Sequence, residues 1–63
     1  MFTDREKDVL ELICKGYTNS QIAESLNISF HTAKAHVASI LHKLNVKNRL
    51  LAAVKYINKY LQS

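Results

Sequence analysis

A chain of 63 residues, 48% of them apolar, sits near the lower limit of what one hydrophobic core supports; this is the composition of a folded domain and not of a disordered tail. Nine Lys and Arg against five Asp and Glu leave a net charge of +4, which suits an anionic partner. One glycine and no proline exclude the turn chemistry of a multi-stranded sheet, and a single cysteine excludes both an intrachain disulfide and a paired-thiol zinc site.

Four helices are predicted, at about 4–15, 19–26, 30–44 and 49–60, making one all-α, bundle-like domain over residues 1–63. Thr3 and Glu6 form a T-x-x-E capping box at the start of the first helix. Behind it Val9, Leu10, Ile13 and Cys14 recur at helical spacing, with Tyr17 just beyond, and Gly16 suits the left-handed position that ends a helix. Thr18 and Gln21 are a second capping box, opening a short helix whose inner face is Ile22, Ala23 and Leu26. Asn27 stops it, since Asn tolerates positive φ; Ile28 plugs the core from the turn and Ser29 caps the next helix. There Ala33, Val37, Ile40, Leu41 and Leu44 form one apolar stripe, and the other face carries His31, Lys34, Ala35, Ala38 and His42. Asn45 ends the third helix, Val46 and Lys47 form a link, and Asn48 caps the fourth. That last helix shows two adjacent apolar stripes, Ala52 with Tyr56, and Leu50, Ala53, Val54, Ile57 with Leu61.

The charge is divided along the chain. Residues 1–24 hold all five acids and carry a net −2, whereas residues 25–63 hold none and carry +6. A short and a long helix separated only by Asn27-Ile28-Ser29 make a helix-turn-helix, at about 19–38, with the small Ala23 where the two must approach closely. Its second helix is free to enter a DNA major groove, which is wide enough for one helix. Phosphates would be met by free N–H groups at the helix starts and by the hydroxyls of Thr18, Ser20, Ser29 and Thr32. Lys43 and Lys47, at the far end of that helix and in the link, are placed to reach the DNA backbone but not the bases.

Thr3-Asp4-Arg5-Glu6, Val9-Leu10-Glu11-Leu12 and Gly16 resemble the opening of the LuxR-type DNA-binding domain. The resemblance continues through Asn19, Ile22-Ala23-Glu24, Leu26, Ser29, Thr32, Lys34 and His36-Val37. It closes on Ile40-Leu41, Lys43-Leu44, Asn48-Arg49 and Ala52, covering nearly the whole chain. The family includes output domains of NarL- and FixJ-like response regulators of two-component systems, quorum-sensing regulators and free-standing GerE-like proteins. The resemblance implies a four-helix domain that binds double-stranded DNA through its third helix, pairs through its fourth and regulates transcription, with RNA polymerase as a further partner. Base contacts are then expected from His31, Lys34, Ala35 and Ala38, where lysine can reach guanine O6 and N7 and alanine a thymine methyl. Asn19 and His36 join the phosphate contacts on the same ground. Leu50, Ala53, Val54 and Ile57, at i, i+3, i+4 and i+7, are expected to pair with a second copy. The chain departs from the family at Ala33, usually Val; at Phe30, usually polar; at Leu51, usually an acid; and at Ala35 and Ala38, where some members use longer polar side chains.

Other chemistries have less support. His31 and His36 lie ~140° apart around the helix and His31 and His42 roughly 16 Å apart along it, so no metal is expected between them. Cys14 reads as a small packed hydrophobe, and no acid accompanies His36 or His42, so no catalysis and no cofactor are expected. The longest apolar run, Leu50 to Val54, is far short of the ~20 residues of a membrane span. The opening Met1-Phe2-Thr3-Asp4-Arg5-Glu6 is not the apolar stretch of a secretory leader, and a cytoplasmic setting is expected. The rival reading is a small basic helical adapter that binds an acidic protein and no DNA; a basic helix on a membrane surface is weaker, because the cations lie on several helices.

Overall fold

Each helix begins where a side-chain oxygen takes over an orphan backbone donor. The computed structural model describes residues 2–61, with side chains through Lys59. In α1 (Asp4–Cys14) Thr3 Oγ1 accepts from Glu6 N at 3.1 Å while Thr3 N donates to Glu6 Oε1 at 2.9 Å, the reciprocal pair read from the sequence. In α2 (Asn19–Leu26) Thr18 and Gln21 repeat it at 3.1 and 2.8 Å. Ser29 Oγ accepts from Thr32 N to open α3 (Phe30–Leu44), and Asn48 Oδ1 accepts from Leu51 N to open α4 (Arg49–Tyr56).

The first three helices end by one device. Gly16, Asn27 and Asn45 stand at positive φ, of 86°, 56° and 56°. The residue after each then donates back to a carbonyl five positions earlier: Tyr17 to Leu12, Ile28 to Ala23 and Val46 to Leu41. All three of those residues are apolar and pack against the core, so each turn is held by a hydrogen bond and a hydrophobic contact together.

Two predicted ends move. Lys15 lies just past α1 as its cap, and the helix predicted to about 60 is α-helical only through Tyr56, after which Ile57–Leu61 form a π turn. Apolar spacing reports a helical path but not a hydrogen-bond register one residue wider, so the sequence pattern does not separate the two. Leu61, counted with the outer stripe of the last helix, has its side chain outside the described part.

The core is the meeting of four inner faces: Val9, Leu10 and Ile13; Ile22 and Ala23; Ala33, Val37, Ile40 and Leu44; Ala52 and Tyr56. Packing joins α2 to α3, and α1 to both α3 and α4. The radius of gyration, 10.7 Å, matches the ~10.6 Å expected of a close-packed chain this long.

One buried charge ties α1 to α3. Glu6, its side chain only 7% exposed, accepts from Lys43 Nζ at 2.8 Å and from Ser39 Oγ at 3.1 Å, besides its capping bond to Thr3 N. The Lys43 ammonium, then the Thr3 amide, hold its carboxyl down to about 2, against the desolvation that would raise it. At the same end of α3, Lys55 Nζ donates to the Leu44 carbonyl at 2.6 Å, a cation on the negative end of the helix.

Candidate nucleic-acid interface

The residues between α2 and α3 number three, and the left-handed Asn27 turns the chain within them. Ala23 is buried beside that turn, its carbonyl taking the Ile28 N–H at 3.0 Å. A side chain no larger than a methyl group is what such a close passage admits.

The turn leaves α3 divided lengthwise. At 100° per residue the buried Ala33, Val37, Ile40 and Leu44 occupy about 60° of arc, and the exposed Phe30, His31, Lys34, Ala35 and Ala38 a separate arc of about 140°, with Phe30 at the edge nearest the core. All four residues predicted to contact bases are therefore on one open face of one helix. Acids are absent from it: the five acidic residues belong to α1 and α2, and everything from residue 25 on is neutral or basic.

The predicted phosphate contacts are arranged less uniformly. Thr18, Ser20, Ser29, Thr32 and Lys47 are exposed, and the first four sit at the starts of α2 and α3, where backbone N–H groups also face outward. Ser29 donates its hydroxyl proton to Thr32 Oγ1 at 2.8 Å, so Thr32 holds the proton left to give outward. His36 is half-buried. So is Asn19, whose Oδ1 is enclosed with no hydrogen-bond partner. Lys43 is exposed at the end of α3 and has a second role: its ammonium donates to Glu6 and lies 5.9 Å from the centre of the Phe2 ring, so its charge also serves the α1–α3 contact.

On α4 the predicted pairing stripe is split. Leu50 is 70% exposed and Val54 48%, whereas Ile57 is half-buried and Ala53 packs against the core. Ala53 and Leu50 also line a groove of about 330 Å³ with Ile13, Cys14, Tyr17 and Arg49, and one guanidinium nitrogen of Arg49 is enclosed there without a partner. The outward apolar surface is instead Leu50, Leu51 and Val54, because Leu51 is exposed too. Burial, and secondarily Glu11, push the Cys14 thiol up. No helix among the described residues is long and apolar enough to cross a membrane.

A family model described as GerE, bacterial regulatory proteins of the luxR family, matches residues 1–56. The chain belongs to that family. It is 42% identical over 59 residues to the nitrate/nitrite response regulator protein NarP of Escherichia coli (strain K12), covering 94% of this chain and 27% of that protein. It is 46% identical over 54 residues to the response regulator protein VraR of Staphylococcus aureus (strain COL) and equally to VraR of Staphylococcus epidermidis, covering 86% of this chain and 26% of each. The chain thus spans about a quarter of the length of these relatives. Its helix-turn-helix is that of a LuxR-type DNA-binding domain, and its role is DNA binding in the regulation of transcription.

Within this LuxR-type domain, three features escaped the sequence reading. Glu6 was legible as a cap but not as the buried anchor of Ser39 and Lys43, since those partners are 33 and 37 residues away. Lys55 gave no sign that it reaches the end of α3, because its charge looks like any solvated lysine in sequence. Phe30 stood out as an apolar residue at a usually polar position, and the structure adds that its ring is on the same open face as the predicted base contacts.

Proposed function

We propose that this chain reads specific double-stranded DNA with α3 in the major groove, as a twofold pair joined through α4. The observation that carries the reading is the lengthwise division of α3, an apolar stripe locked into the core and an open, acid-free face on a separate arc. Lys34 reaches a guanine edge; His31, Ala35 and Ala38 meet the neighbouring bases. Thr18, Asn19, Ser20, Ser29, Thr32, His36 and Lys47 fix the register on phosphates, with Lys43 left to the fold. Pairing uses Leu50 and Val54, with Leu51 beside them and Ile57 at the edge, and sets two recognition helices about 34 Å apart, one turn of DNA. The small patch makes the pair weak until DNA holds both copies close.

The chain works by binding and not by catalysis, in the cytoplasm, and the DNA-binding step delivers or blocks RNA polymerase. NarP and VraR are named response regulators; the step proposed here is the one in which such a regulator meets its DNA. Fluorescence anisotropy on labelled duplex DNA in rising salt tests it. The affinity for DNA should fall steeply, by about 0.9 in the log–log slope for each phosphate neutralised. An adapter for an acidic protein would show no sequence-dependent retention on any duplex.

A further inference from the structure

Phe30 opens α3, is 47% exposed, and belongs neither to the core nor to the apolar side chains packed around it. A lone exposed apolar side chain is ordinary on a protein surface; the placement of this one is informative. Phe30, Lys34 and Ala38 follow one another at i, i+4 and i+8, a single ridge on the open face of α3, so the ring stands about 6 Å before the lysine. Its orientation is set as well. The ring meets the His31 imidazole edge to face, with centroids 6.3 Å apart and planes at 75°, an arrangement that aromatic quadrupoles favour. The starts of α2 and α3 present exposed hydroxyls at Thr18, Ser20, Ser29 and Thr32, which suit phosphate, whereas a phenyl ring gains nothing from phosphate or water. The apolar group that a major groove offers is the 5-methyl of thymine.

We infer that Phe30 is a specificity-determining residue whose ring packs on a thymine methyl beside the base pair that Lys34 reads. The inference rests on the reading of α3 as the recognition helix and adds to it a required thymine at the edge of each half-site. Ala35 and Ala38 offer only methyl groups on short side chains, whereas the ring of Phe30 can cover a whole methyl group and exclude water from it.

The test uses the duplex that the wild-type chain enriches from a randomised pool, with each thymine then replaced in turn by deoxyuridine, which removes the methyl and nothing else. At one position in each half-site the replacement should weaken wild-type binding roughly fourfold, the worth of one buried methyl group. Phe30→Ser should bind the thymine and uracil duplexes alike, and Phe30→Leu, which keeps an apolar surface, should still prefer thymine. Both variants should melt with the wild type, since the ring lies outside the core. Wild-type indifference to uracil at every position overturns the inference. So does a uracil effect that survives in Phe30→Ser, which would assign the methyl to Ala35 or Ala38. If the pool yields no enriched sequence, the DNA-reading role itself fails, and the inference fails with it.

Discussion

Replacing Glu6 by Gln keeps an oxygen for the Thr3 amide but removes the charge that faces Lys43 and Ser39. The wild-type carboxyl is lowered from 4.5 to about 2, which at about 1.4 kcal/mol per pH unit sets an upper value of ~3 kcal/mol for the stability it contributes at neutral pH. Water screens part of this, because the Lys43 side chain is 37% exposed, and a loss of about 2 kcal/mol is expected for Glu6→Gln. For a domain of this size, with roughly 3–9 kcal/mol in total, that is a large share. The sign of the pH dependence follows from a depressed carboxylate: its contribution is present above about pH 4.5 and is lost as pH falls towards 2. Urea unfolding followed by circular dichroism at pH 7, 5 and 3 gives the comparison. The gap between wild type and Glu6→Gln should be full at pH 7 and 5, narrow at pH 3, and close near pH 2. Equal stability at pH 7, or a gap that does not change with pH, would refute the claim that a charged Glu6 locks α1 to α3.

The other predictions concern charge and assembly. Lys47→Ala should weaken binding to all DNA alike and reduce the magnitude of the salt slope by about one, whereas Lys43→Ala should lower the urea midpoint and leave the slope unchanged. A reduced slope in Lys43→Ala would return that residue to the phosphate contacts. Val54→Asp, on the exposed side of α4, should reduce dimer in sedimentation and abolish cooperative binding to two half-sites while the fold and half-site binding survive; unchanged cooperativity would place the pairing surface elsewhere.

Helix starts and stops were legible because their causes are local. Thr3 with Glu6, Thr18 with Gln21, Ser29, Asn48, Gly16, Asn27 and Asn45 act within five residues of themselves, and each does in the structure what its type implies. The open face of α3 was legible for a related reason: a clean stripe of Ala33, Val37, Ile40 and Leu44 leaves one face for the outside. Tertiary partnership was not legible. Nothing near Glu6 announces Ser39 or Lys43, and nothing near Lys55 announces the Leu44 carbonyl. The outer surface of α4 was read only in part, because two adjacent apolar stripes on one helix do not say how far the core reaches around it; the core takes in Ala53 and leaves Leu50, Leu51 and Val54 exposed.

The central claim is that the open face of α3 reads base sequence, and Lys34→Ala tests it most directly. Binding isotherms are measured for wild type and variant on the enriched duplex and on a random one, at one salt concentration. A base-reading lysine predicts a loss of about 1–3 kcal/mol on the enriched duplex, with a much smaller loss on random DNA. An equal loss on both duplexes would contradict the account, because Lys34 would then be a phosphate contact and α3 would not be reading the base edge beneath it.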